Sequence, residues 1–130
     1  MSSFWRTVIL ILIVQILLLK FVHGSEVTDK RVIRTYEAEI SWYDKSYNRL
    51  KQTASGEKFN KNKLTVAHKY LPFGTIIRIT NLENNKSVIC RVNDRGPYVK
   101  NREYDVTKRI ADTLDISKIG IARVVIEILS

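Results

Sequence analysis

Cysteine is nearly missing from this chain. Cys90 is the single one among 130 residues, so no internal disulfide is available and the fold must hold itself through its core. Cys90 alternates with Val88 and Val92, the pattern of a small buried apolar residue and not of an activated nucleophile. Histidine is almost as scarce, with His23 and His68 the only two. So few nitrogen and sulfur donors, with acids at no metal-ligand spacing, exclude a metal set. Only 5 glycines and 2 prolines occur, and neither a glycine-rich phosphate loop nor a nucleophilic serine motif is present. Nothing in the residues calls for a cofactor. Acids are outnumbered, 13 against 22 Lys and Arg, for a net charge of +9. That balance favours polyanions without saying which, or only solvates a small surface.

What is present begins with an apolar run. Arg6 precedes residues 8–19, which are apolar except for Gln15, and Val22-His23-Gly24 follows. A basic start, a short apolar stretch and a cleavage region make residues 1–24 a secretory signal peptide. The competing reading is an uncleaved anchor helix. The run is shorter than the ~20 residues of a spanning helix, and Lys20 interrupts it. No Cys follows the run, so a lipid anchor on an amino-terminal Cys is not expected. Arg6 and Lys20 fall inside this segment and leave +7 of the +9 charges for the rest. Export, and the lack of a clustered basic stripe, disfavour nucleic acid as a partner. The expected location is the periplasm or cell envelope.

Residues 25–34 read as a polar leader, and residues 35–130 as one domain. Residues 35–43 alternate, with Tyr36, Ala38, Ile40 and Trp42 on one side. Residues 44–63 are polar and carry breakers, which predicts a long loop. Short strands are expected at 64–67, 75–81, 87–92 and 123–129, with a hairpin turn at Glu83-Asn84-Asn85-Lys86. Residues 106–114 are the one convincing helix, with Ile110, Ala111 and Leu114 on one face. The sum is a mostly β domain, and a closed barrel removes its exposed edges. Nothing points beyond a monomer.

Four segments carry chemistry: Ala38-Glu39-Ile40-Ser41-Trp42-Tyr43, Thr53-Ala54-Ser55-Gly56-Glu57-Lys58-Phe59, Leu64-Thr65-Val66-Ala67-His68 and Val92-Asn93-Asp94-Arg95-Gly96-Pro97-Tyr98. Leu71-Pro72-Phe73-Gly74-Thr75, Arg78-Ile79-Thr80-Asn81-Leu82 and Tyr104-Asp105-Val106-Thr107 join them. This ordered set resembles the RlpA family of lytic transglycosylases over about residues 37–129. The resemblance implies a six-stranded double-psi β-barrel with one or two short helices. It implies endolytic cleavage of peptidoglycan glycan strands between N-acetylmuramic acid and N-acetylglucosamine, leaving 1,6-anhydro ends without consuming water. Carried over by position, the family's catalytic set falls on Glu57, His68 and Asp94, with Asp94 the essential acid. The chain departs from the pattern at Asp44 and Asp115, where family members commonly have glycine.

The residue types suit such chemistry. A glycosidic oxygen leaves only when protonated, and a carboxyl can supply that proton if burial or a like charge raises its pKa. The expectation is that Asp94 gives and then regains a proton, that His68 orients it, and that Glu57 raises its pKa or binds sugar. Bland readings stand beside these: Asp94 can cap a turn, His68 can be a half-buried strand residue, and Glu57 can be a solvated loop charge. Asp105 is either a secondary catalytic carboxyl or a cap of the following helix. Tyr43 and Tyr98 are candidate sugar platforms, and Arg95 either contacts substrate or braces its turn. Trp42 belongs to the core. The competing function is a non-catalytic polysaccharide-binding barrel of the expansin or barwin kind.

Overall fold

The computed structural model describes residues 2–23, 30–42 and 52–130. The chain forms two units, Met1–Lys30 and Arg31–Ser130. The first holds helix α1 (Ser3–His23). The second is the β domain.

Six strands build that domain: β1 (Val32–Trp42), β2 (Thr65–His68), β3 (Ile76–Asn81), β4 (Ser87–Asp94), β5 (Tyr104–Val106) and β6 (Ile121–Leu129), with helix α2 (Lys108–Thr113) between the last two. They close into a barrel in the order β1-β5-β2-β4-β3-β6. β1 runs parallel to β5, and β2 parallel to β4; the other neighbours are antiparallel. Two parallel contacts between strands distant in sequence are the crossovers that give the double-psi barrel its form.

Alternation puts one side of every strand into the barrel. Ala38 and Ile40 of β1, Val66 of β2, Ile77 and Ile79 of β3, Cys90 and Val92 of β4, and Val124 and Ile126 of β6 fill it. Trp42 and Tyr36 pack against this core, as their shared parity predicts. Cys90 is a free, buried thiol, and burial pushes its pKa well up.

β1 begins at Val32, so the last three positions expected in a leader belong to a strand. Val106, expected in the helix, is instead the fully buried end of β5. Its neighbour Thr107 is the N-cap of α2, yet makes no side-chain cap bond. Its Oγ1 donates to the Lys63 carbonyl oxygen at 2.6 Å, which ties the helix start to the long loop. Asp115 sits at φ 59 just after the helix. That left-handed conformation favours glycine, which explains why the position tolerates glycine elsewhere and why an Asp manages here.

Candidate active site

The site grows from one row of residues across four strands. Ala67 pairs with Asp94 on one side and Asp105 on the other, and Asp105 pairs with Ser41. Paired residues point to the same face of a sheet. Val66 and Val106 next to this row point inward, so Ala67, Asp94, Asp105 and Ser41 share the outer face. Strand spacing sets the Cα atoms of the two aspartates about 9–10 Å apart across the smallest side chain of the row.

A β-bulge makes this possible. Val66 pairs with Val92, but Ala67 pairs with Asp94, so Asn93 is the extra residue. Without it, strict alternation would put Asp94 opposite His68 and turn it inward. The bulged residue is not idle. Its carbonyl oxygen accepts the Ser55 N–H at 3.2 Å, docking the loop that carries Glu57.

That loop is tight. Thr53 N–H donates to the Glu57 carbonyl oxygen at 2.7 Å, and Gly56 N–H donates to that of Thr53 at 2.9 Å. Gly56 adopts φ 91, which a side chain would strain. The loop presents the Ala54 N–H to Asp94 Oδ1 at 2.9 Å, and Arg95 N–H reaches the same oxygen at 2.8 Å. Two backbone donors thus fix the orientation of a carboxylate that is buried, with 5% of its surface exposed. Further along, Phe59 packs over Ala67 as a small apolar cluster outside the barrel.

Asp105 is the carboxyl with a displaced proton affinity. Burial pushes its pKa up, the Ser41 hydroxyl and the Arg102 charge pull it down, and the Asp94 charge pushes it up again; the net direction is upward. Ser41 Oγ donates to Asp105 Oδ1. The residue lies in β5, two positions ahead of the cap, so it does not cap α2.

Glu57 has a different situation from the one expected. Arg91 grips its carboxylate with both guanidinium nitrogens, Nη2 to Oε2 at 2.7 Å and Nη1 to Oε1. The Arg91 hydrogen bond holds the Glu57 pKa low against a smaller opposing effect of burial. Glu57 is therefore an ionised anchor between loop and barrel, and the like charge that acts on Asp105 is that of Asp94.

His68 follows Ala67 and points the other way. It pairs with Tyr104, and the two rings lie with centroids 4.6 Å apart. Its Nδ1 accepts the backbone N–H groups of Tyr70 at 3.1 Å and Leu71 at 3.0 Å. The proton of the neutral ring is thus on Nε2. Burial lowers its pKa first, and the Arg95 and Lys69 charges lower it further. Arg95 braces the turn beyond His68: Nη1 donates to the carbonyl oxygens of His68 at 3.2 Å and Leu71 at 2.9 Å. Its guanidinium also lies 3.9 Å from the centre of the Phe73 ring. Tyr98 is 82% exposed. Tyr43 lies outside the described residues.

Sequence reasoning passed over Ser41, Ala67 and Arg91. Ser41 had a signal, since it alternates with Trp42 and so faces away from the core. Arg91 had none, because its partner lies 34 residues away.

The chain is similar to known proteins over this same barrel. A family model described as lytic transglycolase matches residues 35–126. A probable endolytic peptidoglycan transglycosylase RlpA of Treponema pallidum is 53% identical over 88 residues, 68% of this chain and 27% of that protein. The endolytic peptidoglycan transglycosylase RlpA of Campylobacter jejuni is 45% identical over 95 residues, 73% of this chain and 34% of its own. That of Neisseria meningitidis is 43% identical over 108 residues, 82% and 45% respectively. The chain thus spans less than half the length of these curated relatives. Among solved structures, the Streptomyces papain inhibitor superposes with a TM-score of 0.60 at 13% identity, over 78% of this chain and all of that one. An apo expansin of Clavibacter michiganensis gives 0.59 at 14%, over 75% and 51%. These two likenesses concern the fold alone. The chain belongs to the lytic transglycolase family, as an RlpA-like double-psi β-barrel.

Proposed function

We propose that this barrel is an endolytic peptidoglycan lytic transglycosylase that cleaves the bond between N-acetylmuramic acid and N-acetylglucosamine, outside the cytoplasm. The observation that carries the reading is the pair of carboxyls, Asp94 and Asp105, on one outer face either side of Ala67. Burial first, and the Asp94 charge beside it, raise the proton affinity of Asp105 against the Ser41 hydroxyl and the Arg102 charge.

The reaction needs one proton delivered and one removed. The C1–O4 bond breaks as a carboxyl protonates O4 of the departing sugar. The resulting carboxylate takes the proton of the 6-hydroxyl, and O6 bonds to C1. The carboxyl ends as it began, the product carries a 1,6-anhydro ring, and no water enters. Asp94, fixed by the Ala54 and Arg95 N–H groups, is the central acid and base. Asp105 keeps the proton available. Glu57 and Arg91 hold the 52–58 loop against the site. His68, its Nδ1 held by the Tyr70 and Leu71 N–H groups, supports the row from behind by fixing the end of β2. Tyr98 offers a sugar platform.

The test is to incubate the chain with isolated peptidoglycan and look by mass spectrometry for anhydro-muramic ends, with Asp94→Asn alongside. The reading predicts such ends from the wild type and at least ~100-fold fewer from the variant, with the circular dichroism of the two unchanged. Glycan binding with no released ends would assign the chain to the polysaccharide-binding class instead.

A further inference from the structure

The two carboxyls of the row are held in different ways. Two backbone N–H groups, of Ala54 and Arg95, fix Asp94 Oδ1 at 2.9 and 2.8 Å. Asp105 depends on a side chain instead. Among the described residues, the Ser41 hydroxyl is the one hydrogen-bond donor to its carboxyl. Ala67, its neighbour on the other side, is apolar and donates nothing from its side chain. Ser41 is itself buried, with 5% of its surface exposed. Asp105 is the one partner of its hydroxyl among the described residues. The register brings the two together, where β1 runs parallel to β5. Packing asks for no oxygen at this position, since Ser41 faces away from the barrel core. A buried hydroxyl left without a partner would cost stability, so the oxygen of Ser41 serves the carboxyl.

An aspartate on a strand can turn about its side-chain bonds. Ser41 stops that rotation by holding Oδ1. The bond also makes the two oxygens unlike: Oδ1 accepts, so a proton on Asp105 resides on Oδ2. Other groups bear on the carboxyl only at a distance. Burial raises its proton affinity most, Arg102 just ahead of β5 lowers it, and Asp94 of β4 raises it. β2 brings Ala67, which carries no charge. One outward position back from Ser41 on β1 is Glu39, which pairs with Arg123 of β6. Among all these neighbours, Ser41 alone bonds the carboxyl.

We propose that Ser41 is a positioning residue of the carboxylate row: its hydroxyl fixes the Asp105 carboxyl and leaves Oδ2 as the oxygen that carries the proton. The proposal rests on the transglycosylase reading for what that proton does, but its first readout is titration, not turnover. Carbon-13 resonances of the Asp105 carboxyl are followed through pH in the full chain. The background is Asp94→Asn, which removes the neighbouring charge, and Ser41→Ala or Ser41→Thr is added to it. Loss of the donor removes a bond that favours the carboxylate. The Asp105 midpoint should therefore rise by roughly one pH unit in Ser41→Ala. Ser41→Thr keeps a hydroxyl and should keep the midpoint. With Asp94 intact, the release of anhydro-muramic ends is then measured against pH. In Ser41→Ala the alkaline limb should move up with the midpoint, and the plateau rate should fall on the order of tenfold, since the carboxyl is no longer held. Ser41→Thr should restore both. An unmoved midpoint in Ser41→Ala overturns the proposal. A midpoint that moves while limb and plateau stay overturns it too, because the bond would then be structural alone. A wild type that releases no anhydro ends at any pH sinks the transglycosylase reading, whereas the titration still decides whether Ser41 governs Asp105.

Discussion

Acid should weaken this fold through His68, and the geometry says by how much. Nδ1 accepts two backbone N–H groups at 3.1 and 3.0 Å. Protonating that nitrogen places a third N–H where two already point, and both bonds are lost. At ~0.5–1.5 kcal/mol net for each, the loss is about 1–3 kcal/mol. The pKa of His68 is lowered from its ordinary 6.5, by burial first and then by Arg95 and Lys69. The unfolded chain therefore binds this proton more readily than the folded one. The stabilisation is complete above pH 6.5 and is lost as the pH falls from there through the lower, folded value. Urea unfolding at pH 8 and pH 5 measures it. The control is His68→Asn, whose Oδ1 stands near the place of Nδ1 and accepts without titrating. The wild type should lose about 1–2 kcal/mol more than this variant between the two pH values, because a histidine of ordinary pKa in the unfolded chain gains at most about 2 kcal/mol from protonation by pH 5. Equal losses would refute the reasoning and show that Nδ1 is not the acceptor of these bonds.

Two other perturbations have definite signs. The pKa of Asp105 is raised above its ordinary 3.8, so its ionised form costs stability once the pH exceeds the folded value, and that cost vanishes as the pH falls below 3.8. Asp105→Asn should accordingly raise the melting temperature at pH 7, lose that advantage near pH 4, and reduce cleavage; a lower melting temperature at pH 7 contradicts the burial argument. Arg95→Lys keeps the charge but forfeits the planar contact with Phe73 and the Nη1 bonds to the His68 and Leu71 carbonyls. It should cost about 1–2 kcal/mol in urea unfolding, and a change within error would mean that the turn holds itself.

Much of the barrel was legible in the chain because alternation is a local signal. β1, β3, β4 and β6 each run long enough to show which side is apolar, and the inward parity of Tyr36, Ala38, Ile40 and Trp42 follows from it. β5 was not legible as a strand. Three residues, Tyr104-Asp105-Val106, are too few to show a period, and Val106 fits the apolar face of the helix that follows just as well. That misplacement left Asp105 looking like a helix cap, when its pairing with Ala67 makes it the neighbour of the Asp94 row. The family resemblance brought Glu57, His68 and Asp94 forward together, but could not show their separate duties. The Glu57–Arg91 grip depends on a loop docking onto a strand far along the chain. The outward aim of Asp94 depends on a bulge that only the pairing with β2 reveals.

The central claim is that the carboxyl of Asp94 returns its proton through the sugar's own 6-hydroxyl, without water. Cleavage of peptidoglycan in water enriched with oxygen-18 tests this most directly. The account predicts new chain ends that carry the 1,6-anhydro ring and no heavy oxygen, from the wild type and not from Asp94→Asn. New reducing ends that carry oxygen-18 would contradict it and make the enzyme a hydrolase.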